Sequence, residues 1–479
     1  MIFFSRMFAQ NRSARERLIW SLLVIACIAL TIAGHWPEFD GYFLIDDFLW
    51  LHLANWRSML DSFIGTQGAH LAYRPVFRLS VYLDALLHGR NAAGWHLTNM
   101  LLHAANALLL AAILRAFNVR VAVAAAAAVL FALAPLSGEA VNWISGRTAA
   151  LSTTFVLLAL LLWIVSLKQQ RAPWAAATAM AFGLATYEAA IVTPALCACL
   201  APIVVKYPGI TWRHVLRSIA IMLAALVAFW IVRTAALGTL VGRTAVPSLD
   251  LWANTRHHLD DLLTFTRVLG GDVLLALLAL ALVVTTLVPR LFPVGPCLLM
   301  MVIVFLVPFS QDPGTGGRFF YTLQAPACAL LALCTLALPR RAVLPALGLL
   351  LAVLLPTFFT SSYREAASHA ASERKARTII AAVRSAIPSN DGYPHVVSDV
   401  PLMSDHHLLI GYFFEIAVAD SYQTASPPQI LNSATVLSSP ALRADILRQP
   451  TRFWRYDAAT DRLLSMGRPE WLSAHPDEQ

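Results

Sequence analysis

Eleven apolar runs, at residues 18–34, 97–116, 121–136, 149–167, 174–186, 190–205, 215–237, 273–288, 297–309, 321–338 and 343–359, dominate this chain. The hydrocarbon core of a bilayer takes about 20 apolar residues of helix, and somewhat shorter runs are buried inside a bundle. Backbone amides in lipid must be satisfied within their own segment, so the runs read as helices. The side-chain balance agrees: 58% of the 479 residues are hydrophobic and 13% are charged, against about 25% charged in a soluble domain. The expectation is an all-α polytopic membrane bundle of about eleven transmembrane helices. Arg12, Arg15 and Arg17 precede the first run as in a signal peptide, but no small-x-small cleavage site stands before His35, so this run reads as an uncleaved anchor.

The formal charge of +8 lies largely between the apolar runs rather than along one stripe. That excludes a nucleic-acid-binding reading and points to the positive-inside pattern. The short loops carrying Arg115, Arg120, Lys168, Arg171, Lys206, Arg213, Arg217, Arg290, Arg340 and Arg341 are assigned to the cytoplasm. The long loops 36–96, 137–148 and 238–272, with everything after residue 360, then face the other side. The chain divides into a membrane domain at 1–360, whose first outward loop is 36–96, and a soluble extracytoplasmic domain at 361–479. The latter reads as a small α/β or α+β fold that opens with an amphipathic helix at 364–387, its apolar positions Ala371, Ile379, Ala382, Val383 and Ile387. A bacterial-type inner membrane, with the polar face outside the cytoplasm, is the expected location. All six cysteines sit in apolar segments and form neither a disulfide framework nor a metal-ligand spacing.

Ionisable groups cluster on the outward side. Asp46 and Asp47 follow the first run, and an acidic pair at a membrane surface is either a solvated turn or a functional site. Arg74, Arg78, Arg90, Arg147, Arg243, Arg256 and Arg318 lie where the positive-inside rule disfavours them. Guanidinium binds phosphate in a bidentate way, so these residues hold either a phosphorylated substrate or lipid headgroups. His96, Asn99, His103 and Asn106 share one helical face, which lipid cannot satisfy. Asn106 is expected to lock helices, and His96 and Asn99 to line a cavity. Zinc is not supported there, because Asn is a poor ligand. Glu139 and Glu188 complete the outward set.

Several short motifs appear in one order: Asp46-Asp47, Tyr73-Arg74-Pro75, Trp95-His96-Leu97-Thr98-Asn99 with Leu102-His103, and Val141-x-Trp143-Ile144-x-Gly146-Arg147. Thr186-Tyr187-Glu188 and Arg318-Phe319-Phe320-Tyr321 follow. The series resembles the GT-C superfamily of integral-membrane glycosyltransferases, and most closely the protein O-mannosyltransferases that carry tetratricopeptide repeats. The resemblance covers roughly residues 36–325. It implies an inverting transfer of a sugar from a polyprenyl-phosphate donor to an acceptor hydroxyl, with Asp46 or Asp47 as base. Arg74, Arg147 and Arg318 would contact the donor phosphate, with His96, Asn99, His103, Glu139 and Glu188 around the substrates. No tetratricopeptide repeats follow the membrane segments, and Tyr187 stands where the family has Lys. The acceptor is therefore read broadly, as a protein, a lipid or a surface glycan. The expected partners are the polyprenyl-phosphate sugar, membrane lipid and that acceptor, without nucleic acid. No cofactor is implied, and a divalent metal lacks support in ligand spacing. The rival readings are a transporter or flippase for lipid-linked glycans and a non-catalytic assembly subunit. Ionisable groups gathered at one face, rather than at the midplane, favour the enzyme.

Overall fold

The computed structural model describes residues 14–65, 72–238, 251–306, 317–389 and 391–475, apart from 402, 405–406, 409–413, 423 and 425–426. Arg243 lies outside the described residues. The chain forms two compact units. The first comprises Met1–Trp36, Arg57–Ser80 and His96–Ala366; the second comprises Pro37–Trp56, Val81–Trp95 and Ala367–Gln479. The first outward loop is thus divided between the units, and the boundary placed after residue 360 falls within one continuous helix, Val343–Ala386.

Among the described residues six helices are long and apolar enough to cross a bilayer: Glu16–Gly34, Ala92–Ala116, Arg147–Lys168, Trp212–Leu237, Gly317–Ala337 and Val343–Ala386. Two bent pairs raise the total to eight at most. The expected eleven is not confirmed by these helices. Three of the predicted spans are the shorter apolar helices Trp174–Leu184, Glu188–Val204 and Val294–Leu306. At 1.5 Å per residue Trp174–Leu184 and Val294–Leu306 rise only about 16–20 Å, short of a core about 30 Å thick, while Glu188–Val204 rises about 25 Å.

One of the bent pairs has a plain cause. Val121–Ala132 and Pro135–Asn142 meet at 51°. Pro135 has no amide hydrogen to continue the first helix, and it drives Ala134 into an extended conformation at φ −61°, ψ 130°. The break delivers the Gly138–Asn142 turn. Upstream, the alanines of Val121–Ala132 are mostly buried, as expected where small side chains let helices approach closely.

Within the first unit the basic loops converge. Arg115 pairs with Glu16 at 3.0 Å. Lys168 sits 4.0 Å from the centre of the Tyr207 ring, whose hydroxyl donates to the Phe117 carbonyl at 2.5 Å. Lys206 donates to the Phe292 carbonyl at 2.5 Å, and Arg290 to that of Ala337. These cations therefore cap helix ends and satisfy terminal carbonyls.

The second unit contains a four-stranded mixed sheet. Its order is Ile430–Asn432, His395–Ser398, Arg452–Asp457, Arg462–Met466, with the first two pairings parallel and the last antiparallel. Val396, Val436, Ile446, Phe453, Met466 and Trp471 form its core. Trp471 lies 5.0 Å from the Phe453 ring, and its indole N–H donates to Ser433 Oγ at 2.9 Å, so the one polar atom of the largest core side chain is satisfied.

Candidate active site

Asp46 and Asp47 open the helix Asp46–His52 in the second unit. Asp47 is buried, and its Oδ2 accepts the Leu44 N–H at 3.0 Å, so this carboxylate ties down the turn that precedes it. Asp46 is half-buried. The residue before the pair, Ile45, holds φ at +45°. A β-branched residue in that region is a true outlier costing about 1–3 kcal/mol, and such strain gathers at functional sites. The helix packs on Phe414–Ser421.

Leu51 of the same helix lines a cleft of about 490 Å³ in the second unit. Tyr42, Phe43, Arg90, Arg377 and Arg384 also face it. Arg90 is held by Asp420 at 2.8 Å, and Arg377 stacks 5.0 Å from the Tyr42 ring while donating to the Gly41 carbonyl. Burial raises the Tyr42 phenol pKa, while Arg377 and Arg90 pull it down. Three guanidiniums around one cleft make a site for an anionic or polyhydroxylated group. Arg90 stood among the outward arginines read from the sequence. Arg377 and Arg384 did not, because on an amphipathic helix they look like a solvated face.

The other predicted residues belong to the first unit, where they form three arrangements. Arg74 reaches Glu188 Oε2 through Nη2 at 2.9 Å and Nε at 3.2 Å, and sits 4.8 Å from the Tyr187 ring centre. Arg318 binds Glu139 and lies 5.0 Å from the Trp143 ring centre. Each is thus an arginine held by a glutamate and an aromatic face. Both stay accessible, with Arg74 28% and Arg318 32% exposed.

The polar stripe behaves differently. His96, Asn99, His103 and Asn106 are all 0% exposed. Asn99, expected to line a cavity, donates to the carbonyls of Val141 and Trp143 and accepts from Arg147 Nε at 2.6 Å. Arg147 is itself 0% exposed, so in this conformation its guanidinium is committed to the protein interior. His103 Nδ1 and Asn106 Nδ2 meet the Tyr321 hydroxyl at 2.7 and 2.9 Å, and Asn106 also reaches the Ala150 carbonyl. Asn99 and Asn106 alike lock helices together.

No protein-family model matches the chain. A protein O-mannosyl-transferase of Caenorhabditis elegans is 35% identical over 106 residues, 21% of this chain and 15% of that protein. The protein O-mannosyl-transferase Tmtc2 of Drosophila melanogaster is 32% identical over 183 residues, 36% of this chain and 19% of its own length. The chain therefore spans less than a fifth of the length of either relative. ArnT from Cupriavidus metallidurans superposes in its apo state with a TM-score of 0.55 at 14% identity, covering 97% of this chain and 95% of ArnT. Its complex with undecaprenyl phosphate gives 0.54 at 13% identity, with 96% and 95% covered.

Proposed function

We propose that this chain, an integral membrane protein whose fold is that of the GT-C glycosyltransferases, moves a sugar from a polyprenyl-phosphate donor to an acceptor hydroxyl. The observation that carries the reading is the acidic pair behind the strained Ile45, on a helix that also lines an arginine-rich cleft. In this reading Asp46, the more accessible carboxylate, removes the proton from the acceptor oxygen as that oxygen attacks the anomeric carbon. The bond from that carbon to the donor phosphate breaks from the opposite face, so configuration inverts. Asp47 positions the turn through the Leu44 N–H.

Negative charge builds on the departing phosphate and needs fixed cations. Arg74 and Arg318 are proposed for that role on the strength of their motifs and their exposure. Buried Arg147 is reassigned as a support for Asn99. An isoprenoid tail needs an apolar bed, and a cleft of about 350 Å³ in the first unit, lined by Leu259, Leu262, Leu278, Leu282, Leu331 and Phe358, offers one. The relatives named as O-mannosyl-transferases favour a protein acceptor, and ArnT, captured with undecaprenyl phosphate, favours a polyprenyl donor.

The test is a transfer assay on purified chain in nanodiscs with a panel of radiolabelled polyprenyl-phosphate sugars and separate protein, lipid and glycan acceptors. Label moved to an acceptor from at least one donor supports the reading. Translocation of intact donor across a vesicle membrane without transfer would replace it with the transporter reading.

A further inference from the structure

Three ligand-type side chains, none of them lining the arginine cleft, converge within the second unit. Glu38 comes from the short turn Trp36–Asp40, and His369 and Glu373 come from the long helix Val343–Ala386. One donor atom from each lies within 4.8 Å of the other two. Glu38 and Glu373 are 0% exposed and His369 is 5% exposed. His369 and Glu373 are four residues apart, the spacing that puts two side chains on one face of a helix. Glu38 arrives from more than 300 positions earlier in the chain.

His369 Nδ1 stands 3.4 Å from Glu38 Oε1 and 3.3 Å from Glu373 Oε1. A charge-assisted N–H···O bond closes to about 2.7–2.9 Å. Ligands about 2.0–2.1 Å from a tetrahedral zinc ion are instead separated by about 3.3 Å along the edge of the tetrahedron. Both spacings are those of an ion pair, and they also fit the edge of such a tetrahedron. One imidazole nitrogen with two carboxylate oxygens suits zinc rather than calcium or magnesium, which take oxygen ligands alone. The supporting shell is present too. Glu373 Oε2 accepts the Tyr42 N–H at 2.8 Å, which fixes that carboxylate, as outer partners fix ligands at metal sites. Gly41 is required beside it: a Cβ there would fall 1.9 Å from Glu373 Oε2.

We propose that Glu38, His369 and Glu373 form a binding site for a divalent metal ion of the zinc type, with a fourth position open to water. The site would pin the segment holding Glu38, Gly41 and Tyr42 to the helix that carries His369 and Glu373. That segment leads directly into Ile45, Asp46 and Asp47. The role is structural and does not depend on the glycosyltransferase reading.

The test is metal content of the intact chain purified in detergent, stripped with a chelator, dialysed against zinc and measured by elemental mass spectrometry. One zinc per chain is expected in the wild type, and a loss of most of it in H369A and in the near-isosteric E38Q and E373Q. Cobalt substitution should give the intense visible bands of a tetrahedral site, without the near-ultraviolet charge transfer that thiolate ligands from the native cysteines would cause. Should H369A fail to fold, the glutamine variants and the cobalt spectrum carry the decision. Wild type that retains no zinc, or variants that retain as much as wild type, would overturn the proposal and leave a buried Glu–His–Glu ion cluster.

Discussion

Arg318 holds both oxygens of Glu139, with its Nη1 2.9 Å from Oε1 and its own backbone N–H 3.0 Å from Oε2. The carboxylate thereby fixes the side chain and the main chain of one residue at once. Arg74 is held through its side chain alone, with Nε and Nη2 both on Glu188 Oε2, and both guanidiniums are backed by an aromatic face. A cation held this way is already oriented before any ligand arrives, which is what a group that must meet developing charge requires.

Exposed ion pairs contribute about 0.2–1 kcal/mol to stability. R74A and R318A are therefore expected to express and fold like wild type. A charged hydrogen bond to phosphate is worth about 1.5–3 kcal/mol, so each variant should bind a polyprenyl-phosphate ligand roughly 10–100-fold more weakly. Lysine at either position should restore part of the loss, because it keeps charge but not the planar fork. Affinity titration of the three forms checks this. Unchanged affinity in both alanine variants would move the phosphate to the cleft of Arg90, Arg377 and Arg384.

Arg147 should respond differently. It is fully buried and its Nε donates to Asn99 at 2.6 Å. R147A leaves a buried polar partner and a large void, and is expected to lower the melting temperature and folded yield before any activity is considered. R147K should not rescue, since lysine places a methylene rather than an N–H donor at the Nε position. Thermal melting in detergent reads the result, and a normal melting curve for R147A would return this arginine to the ligand-binding set.

The contrast shows what the sequence made legible. Helical spacing correctly placed His96, Asn99, His103 and Asn106 on one face that lipid does not see, because period and burial are local properties. Their partners were not legible: Tyr321 lies more than 200 positions from His103, and no pattern announces that pairing. The span count is open for a related reason, since apolarity marks Trp174–Leu184 but cannot tell a full crossing from a short buried helix. The amphipathic pattern at 364–387 was real, with Ile379, Val383 and Ile387 fully buried, yet it hid that the helix begins at Val343 and continues past Pro356. His369 and Glu373 gain their meaning from Glu38, more than 300 positions earlier, which no local pattern links to them.

Tyr321 offers a test of the polar lock. Its hydroxyl meets His103 and Asn106, and interhelical hydrogen bonds in membranes are worth about 0.6 kcal/mol each on average. Y321F should lower the melting temperature by a few degrees and leave donor affinity unchanged. A loss of affinity without loss of stability would place Tyr321 at the ligand instead.

Orientation can be read without substrate. Ile64 is 63% exposed and is a better probe than its neighbour Gly65, where a Cβ would meet the Ala236 carbonyl oxygen at 1.9 Å. Cysteines at Ile64 and Ser473 should react with an impermeant thiol reagent added on the side of the membrane opposite the basic loops, and one at Gln169 should not, judged against wild-type labelling. Reaction at Gln169 alone would reverse the assignment made from the basic loops.

Asp46 is the proposed base, with Asp47 holding the turn. The direct measurement is single-turnover sugar transfer by wild type, D46N and D47N in nanodiscs at saturating donor. D46N removes the proton acceptor and should slow transfer by about 10²–10⁴-fold with donor affinity intact. D47N keeps an oxygen that can accept the Leu44 N–H, so its loss should be clearly smaller. D46N turning over at the wild-type rate, or D47N losing more than D46N, would contradict the account.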